Sequence, residues 1–106
     1  MSDDEIFHAP PGGFKLRPVH PGETLGEELE VRGLSAHAFA LKLRVPANRI
    51  TGIINGKRGI SAETALRLGR YFGNSAEFWM RLQAGYDLAV AERDVGEKVM
   101  REVEAA

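Results

Sequence analysis

Cysteine is absent from this chain, which removes disulfide frameworks, zinc–thiolate centres and thiol nucleophiles from consideration. Aromatic residues are few, with one Trp, two Tyr and five Phe. No apolar run approaches the ~20 residues that a membrane-spanning helix requires. The opening Met1-Ser2-Asp3-Asp4-Glu5 is acidic where a signal peptide is basic, so a cytoplasmic protein is expected. No run of alternating apolar and polar residues marks a strand, and neither internal repeats nor low-complexity tracts occur. With 106 residues there is room for one hydrophobic core and not two.

Net charge is nearly missing as well, at −1, but the charges are not mixed along the chain. Residues 1–33 carry three Lys/Arg against seven Asp/Glu, and residues 74–106 carry four against seven. Between them, residues 34–73 carry Lys42, Arg44, Arg49, Lys57, Arg58, Arg67 and Arg70 with a single acid, Glu63. A basic block of this kind bears on partners rather than on fold, but a solvated surface that is simply basic shows the same block, so the positions of the charges must decide.

Helical punctuation is present throughout. Residues 1–19 read as an arm, because Pro10-Pro11-Gly12-Gly13 and Pro18 prevent regular structure. Helix one is expected from His20-Pro21-Gly22-Glu23, with Leu25 and Leu29 on its buried face and Gly33 at its end. Ser35 caps helix two over residues 36–43, which buries Phe39, Ala40 and Leu43. After the break Arg44-Val45-Pro46, helix three runs over about 46–55 and turns Ile50, Ile53 and Ile54 inward. Ser61 opens helix four, with Ala65, Leu68 and Phe72 as its stripe, and Gly73 closes it. Asn74 or Ser75 opens helix five, whose apolar residues are Phe78, Trp79, Leu82 and Tyr86. Residues 94–106 keep a weak helical period, with Gly96 against a rigid continuation. The expectation is an all-α chain: an arm (1–19), a five-helix unit (20–93) and a helical tail (94–106).

Two short helices, a tight break and a polar third helix have the size and order of a helix-turn-helix, whose second helix enters the major groove of DNA. Ala40 is small where the pair crosses, and Val45 plugs the turn. The outward residues of helix three are Ala47, Asn48, Arg49, Thr51, Gly52 and Asn55. Asparagine pairs with adenine in a bidentate manner and arginine with guanine, while alanine and threonine touch the thymine methyl group. Ala47, Asn48, Arg49, Thr51 and Gly52 are therefore the candidate base readers, Gly52 by permitting close approach. Ser35, Lys42, Arg44, Asn55, Lys57 and Arg58 are candidate phosphate contacts, which supply affinity more than sequence information. Trp79, Tyr86, Leu88 and Val95 exceed what a small core easily hides and are the candidate dimer surface, the other reading being that Trp79 and Tyr86 are simply core or half-exposed.

Catalysis finds no foothold. His8, His20 and His37 fall at no metal-ligand spacing, and no cofactor motif is present. Gly56-Lys57 is not a phosphate loop, since Thr51 stands where the first glycine belongs and Arg58 where a hydroxyl belongs.

Several strings in order resemble the HigA/VapI group of antitoxins within the XRE (Cro/C1-like) helix-turn-helix class. They are His20-Pro21-Gly22-Glu23, Leu34-Ser35, Val45-Pro46-Ala47-Asn48-Arg49-Ile50-Thr51 and Asn55-Gly56-Lys57-Arg58-Gly59-Ile60-Ser61. Glu77-Phe78-Trp79 and Leu82-Gln83-Ala84-Gly85-Tyr86-Asp87-Leu88 follow, so the likeness spans residues 20–93, about 70% of the chain. The resemblance implies a lambda-repressor-like domain that acts as a homodimer on a palindromic double-stranded operator. It also implies a HigB-type toxin partner, a RelE-like mRNA endonuclease, and repression of the shared operon. An RNA-cutting toxin is expected to be basic, which makes Asp3, Asp4, Glu5 or the acidic C-terminal part its contacts by complementarity. Two positions depart from the family pattern: Arg44 stands where the turn usually has glycine, and Pro46 where helix three usually has a hydroxyl cap. The alternatives are a regulator of the same fold without a toxin, and an interaction module that has lost DNA binding.

Overall fold

Capping side chains set where four of the five helices begin. The computed structural model describes residues 17–106, and within them the chain forms α1 (Pro21–Arg32), α2 (Ala36–Leu43), α3 (Ala47–Ile54), α4 (Ala62–Phe72) and α5 (Ala76–Glu102), with no strand among the described residues. Residues 1–16, including the expected toxin contacts Asp3, Asp4 and Glu5, lie outside the described residues.

The string His20-Pro21-Gly22-Glu23 has a job for every side chain. His20 caps α1, its Nδ1 accepting from the Gly22 N–H at 2.9 Å, and Pro21 takes the first helical position. Gly22 lies so close to α3 that a Cβ there would sit 1.8 Å from the Ile53 carbonyl oxygen, which excludes any other residue. Glu23, in the first turn, accepts from both terminal nitrogens of Arg17 at 3.0 and 3.2 Å. The buried His20 ring stands edge-on to Tyr86 of α5, 4.8 Å between centroids. Ser35, Ser61 and Ser75 each accept an N–H three residues on, opening α2, α4 and α5. Of the two candidates for α5, Ser75 is thus the cap. Asn74 instead accepts from the Trp79 indole N–H at 2.9 Å.

One cluster unites the helices: Leu25 and Leu29 of α1, Phe39, Ala40 and Leu43 of α2, Ile50 and Ile53 of α3, Ala65 and Leu68 of α4, and Trp79 of α5. Ile60, from the loop after α3, joins them as well. Burying each of the large aliphatic side chains contributes ~1.5–3 kcal/mol. Val45 packs half-buried against this cluster, as a plug for the turn should.

Two expectations are corrected here. Trp79 is 1% exposed and belongs to the core, so it is not available to a dimer surface. Its indole N–H, already bonded to Asn74, has nothing to seek at an interface. The second correction concerns Gly96, which does not interrupt α5: the helix passes through it to Glu102. The first turns of α5 pack on the core. Leu88 (68% exposed), Val95 (44%), Val99 and Val103 lie on the part that projects beyond it, uncovered.

Candidate nucleic-acid interface

α3 is buried along one row and open along the others. Ile50 and Ile53 are fully buried, and Ile54 lies near Gly26 of α1. Asn48 and Thr51 are exposed, while Ala47, Arg49 and Gly52 are partly so. Pro46 provides no side-chain cap, as expected, and the first N–H groups of α3 are left without a side-chain acceptor. A helix end with spare donors and a positive dipole is suited to an anion.

All six candidate phosphate contacts are exposed: Ser35, Lys42, Arg44, Asn55, Lys57 and Arg58. They fall into separate groups. Lys42 and Arg44, at the end of α2, share an open groove of about 370 Å³ with Arg67, Arg70, Leu66 and Tyr71 of α4 and its end. Lys57 and Arg58 follow α3, in a loop drawn back onto the helix by two bonds to the Gly52 carbonyl, at 2.9 and 3.2 Å. A Cβ on Gly52 would lie 3.0 Å from Arg58 Cδ. The bare backbone of Gly52 is thus occupied by the Arg58 stem, and the glycine makes room for that arginine.

The turn does not relax around Arg44. Its φ of 60° is the one positive value of a non-glycine residue among the described residues. Its N–H bonds back to Ala40 and Leu41 carbonyls, closing α2 in the manner of a glycine.

Three residues outside the expected set hold the surface in place. Glu63 accepts from Arg49 at 3.3 Å and from Arg67 at 3.2 Å, and Arg67 also donates to the Leu43 carbonyl at 2.9 Å. The Arg67 hydrogen bond, then the charges of Arg67 and Arg49, hold the Glu63 carboxyl below its ordinary range. Gln83 of α5 accepts from the Ile60 N–H at 2.7 Å and donates to Asp87 at 2.9 Å, pinning the basic loop to the long helix. Of these contacts Glu63–Arg67 and Gln83–Asp87 have a spacing, four residues on one helix, that a sequence displays. Arg49–Glu63 and Gln83–Ile60 need the fold.

Among the described residues no group of three or more His, Asp or Glu is arranged for a metal ion, and no helix is long and apolar enough to cross a membrane. Comparison with known proteins gives a consistent picture. The helix-turn-helix family matches residues 25–79, which contain α2, the turn and α3 entire. Virulence-associated protein I of Dichelobacter nodosus is 51% identical over 86 residues, 80% of each chain. An addiction module antidote protein of the HigA family from Coxiella burnetii superposes with a TM-score of 0.84 at 47% identity, covering 86% of this chain and all of that one. Antitoxin HigA of Pseudomonas aeruginosa, solved with the higBA promoter, superposes with a TM-score of 0.81, also at 47% identity, over 83% of this chain and 97% of that one. The chain therefore belongs to the helix-turn-helix family, in its HigA-type antitoxin branch.

Proposed function

We propose that this protein is a dimeric, operator-binding antitoxin that represses its own operon and neutralises a RelE-like mRNA endonuclease of the HigB type. The observation that carries the DNA half of this reading is α3 itself: Ile50 and Ile53 are anchored in the core while Asn48 and Thr51 are exposed. Residues 20–93 serve as the DNA-binding unit. Ala47, Asn48, Arg49 and Thr51 meet base edges, with Gly52 placing Arg58 beside them. Ser35, Lys42, Arg44, Asn55, Lys57 and Arg58 take the phosphates. A single module of this size binds DNA weakly, so two copies act on a palindrome with half-sites about one helical turn, ~34 Å, apart. Support for a toxin partner comes from the HigA-family relatives; the acidic residues Asp3, Asp4 and Glu5 are the proposed contact.

Replacing Asn48 and Arg49 together by alanine is expected to lower affinity for the chain's own promoter at least tenfold while leaving the helical circular dichroism unchanged. Full promoter affinity in that variant rejects α3 as the reader. For the toxin half, a chain lacking residues 1–18 should lose affinity for the basic product of the neighbouring gene in calorimetric titration, and undiminished binding rejects the arm.

A further inference from the structure

Glu63 is the only acid among residues 34–73, where seven Lys/Arg gather. A solitary carboxylate on a surface destined for phosphate is costly to affinity, because it repels the ligand. Its placement on α4 answers what it is for. The carboxylate takes Arg49 of α3 on one oxygen, at 3.3 Å, and Arg67 on the other, at 3.2 Å. Arg67 reaches on to the Leu43 carbonyl at the end of α2. The helix-turn-helix is thereby tied to α4 twice, α3 through the Glu63 anion and α2 through Arg67, which Glu63 holds. Arg49 is less open than Asn48 and Thr51, with its side chain 27% exposed, although it lies on the outer part of α3.

We propose that Glu63 is a positioning residue that sets DNA specificity: it holds the Arg49 guanidinium in one orientation, so that this cation serves the operator and is withheld from phosphates of unrelated DNA. The proposal rests on the DNA-binding reading above. Non-specific attraction is a matter of how many cations reach phosphates, whichever sequence they belong to. An arginine already paired with a carboxylate reaches a new phosphate only by giving up that pair. A guanidinium fixed in place, by contrast, meets a guanine edge at the right position without losing rotamer freedom on binding. Glu63 thus trades general affinity for discrimination.

The test compares a duplex of the chain's own promoter with a shuffled duplex of equal length and composition, over a range of salt. Glu63→Gln leaves one acceptor oxygen for two arginines and removes the charge that fixes Arg49. It is expected to bind shuffled DNA roughly two- to fivefold more tightly, with a salt slope steeper by about one, and to gain less on the promoter. Glu77→Gln removes an exposed carboxylate from the first turn of α5, and should alter both duplexes equally. Arg49→Lys, which leaves the Glu63–Arg67 pair intact, keeps the charge but loses the planar fork, and should also narrow the promoter preference. It covers the case of a Glu63 variant that folds poorly. Combining Glu63→Gln with Arg49→Ala should give the preference of Arg49→Ala alone. If the wild-type chain prefers its promoter and Glu63→Gln and Arg49→Lys both keep that preference, Glu63 has no such role and the DNA-binding reading stands. If the wild-type chain shows no preference, both fall.

Discussion

Arg44 shows how a single backbone angle can hold two roles in tension. A side chain at φ 60° costs ~1–2 kcal/mol where glycine costs nothing sterically. The exposed position of Arg44, beside Lys42 and a groove that also receives Arg67 and Arg70, is where a compensating phosphate contact would be made. Arg44→Gly is therefore expected to stabilise the fold by about 0.5–1 kcal/mol, after the greater unfolded-state freedom of glycine is deducted. That corresponds to a rise of roughly 2–8 °C in Tm for a domain of this size. The same variant should bind promoter DNA less tightly, with a salt slope shallower by about one. A variant that melts higher and binds DNA as before assigns Arg44 no phosphate.

At the scale of elements, local chemistry in the sequence located most boundaries. Ser35, Ser61, Gly33 and Gly73 begin or end helices where their capping preferences say they should. Periodicity identified the buried faces of α1 to α4 for the same reason, since side chains three and four apart share a side. It could not say what covers α5. An apolar stripe is the same pattern whether the chain's own core or a second molecule lies against it, so Trp79 read as surplus when it is core. Ile60 was hidden in another way: it sits in a loop, where periodicity has no meaning, yet its side chain completes the core and its N–H is held by Gln83. Gln83 and Gly59 fit each other closely, since a Cβ on Gly59 would come within 2.9 Å of the Gln83 amide oxygen. Gln83→Ala leaves the Ile60 N–H without that acceptor, at a cost of ~1–3 kcal/mol. The expected outcome is a lower Tm together with faster amide exchange in residues 55–60. Weaker promoter binding should accompany it, because Lys57 and Arg58 lie in that loop. Unchanged exchange there would mean that α5 does not hold the loop.

The described residues span 49 × 31 × 23 Å, and much of that length belongs to α5. At 1.5 Å per residue its 27 residues run for ~40 Å, more than a five-helix core of this size can cover. Leu88, Val95, Val99 and Val103 recur at spacings of seven and four along the uncovered part, which is the spacing of one helical face. A second copy brought together over this face would account for the exposed apolar residues and supply the second reading helix that a palindrome needs. Tyr86, half-buried against His20, marks where the core ends and that face begins. Because Leu88 and Val95 contribute nothing to the core, replacing both with aspartate separates association from folding. The double variant should keep its helical content and its core melting behaviour while sedimenting as a monomer, and promoter affinity should fall by about two orders of magnitude as the linked second site is lost. A double variant that sediments as the wild-type chain does moves the dimer contact off α5, and with it the geometry by which two α3 helices would be spaced along one duplex.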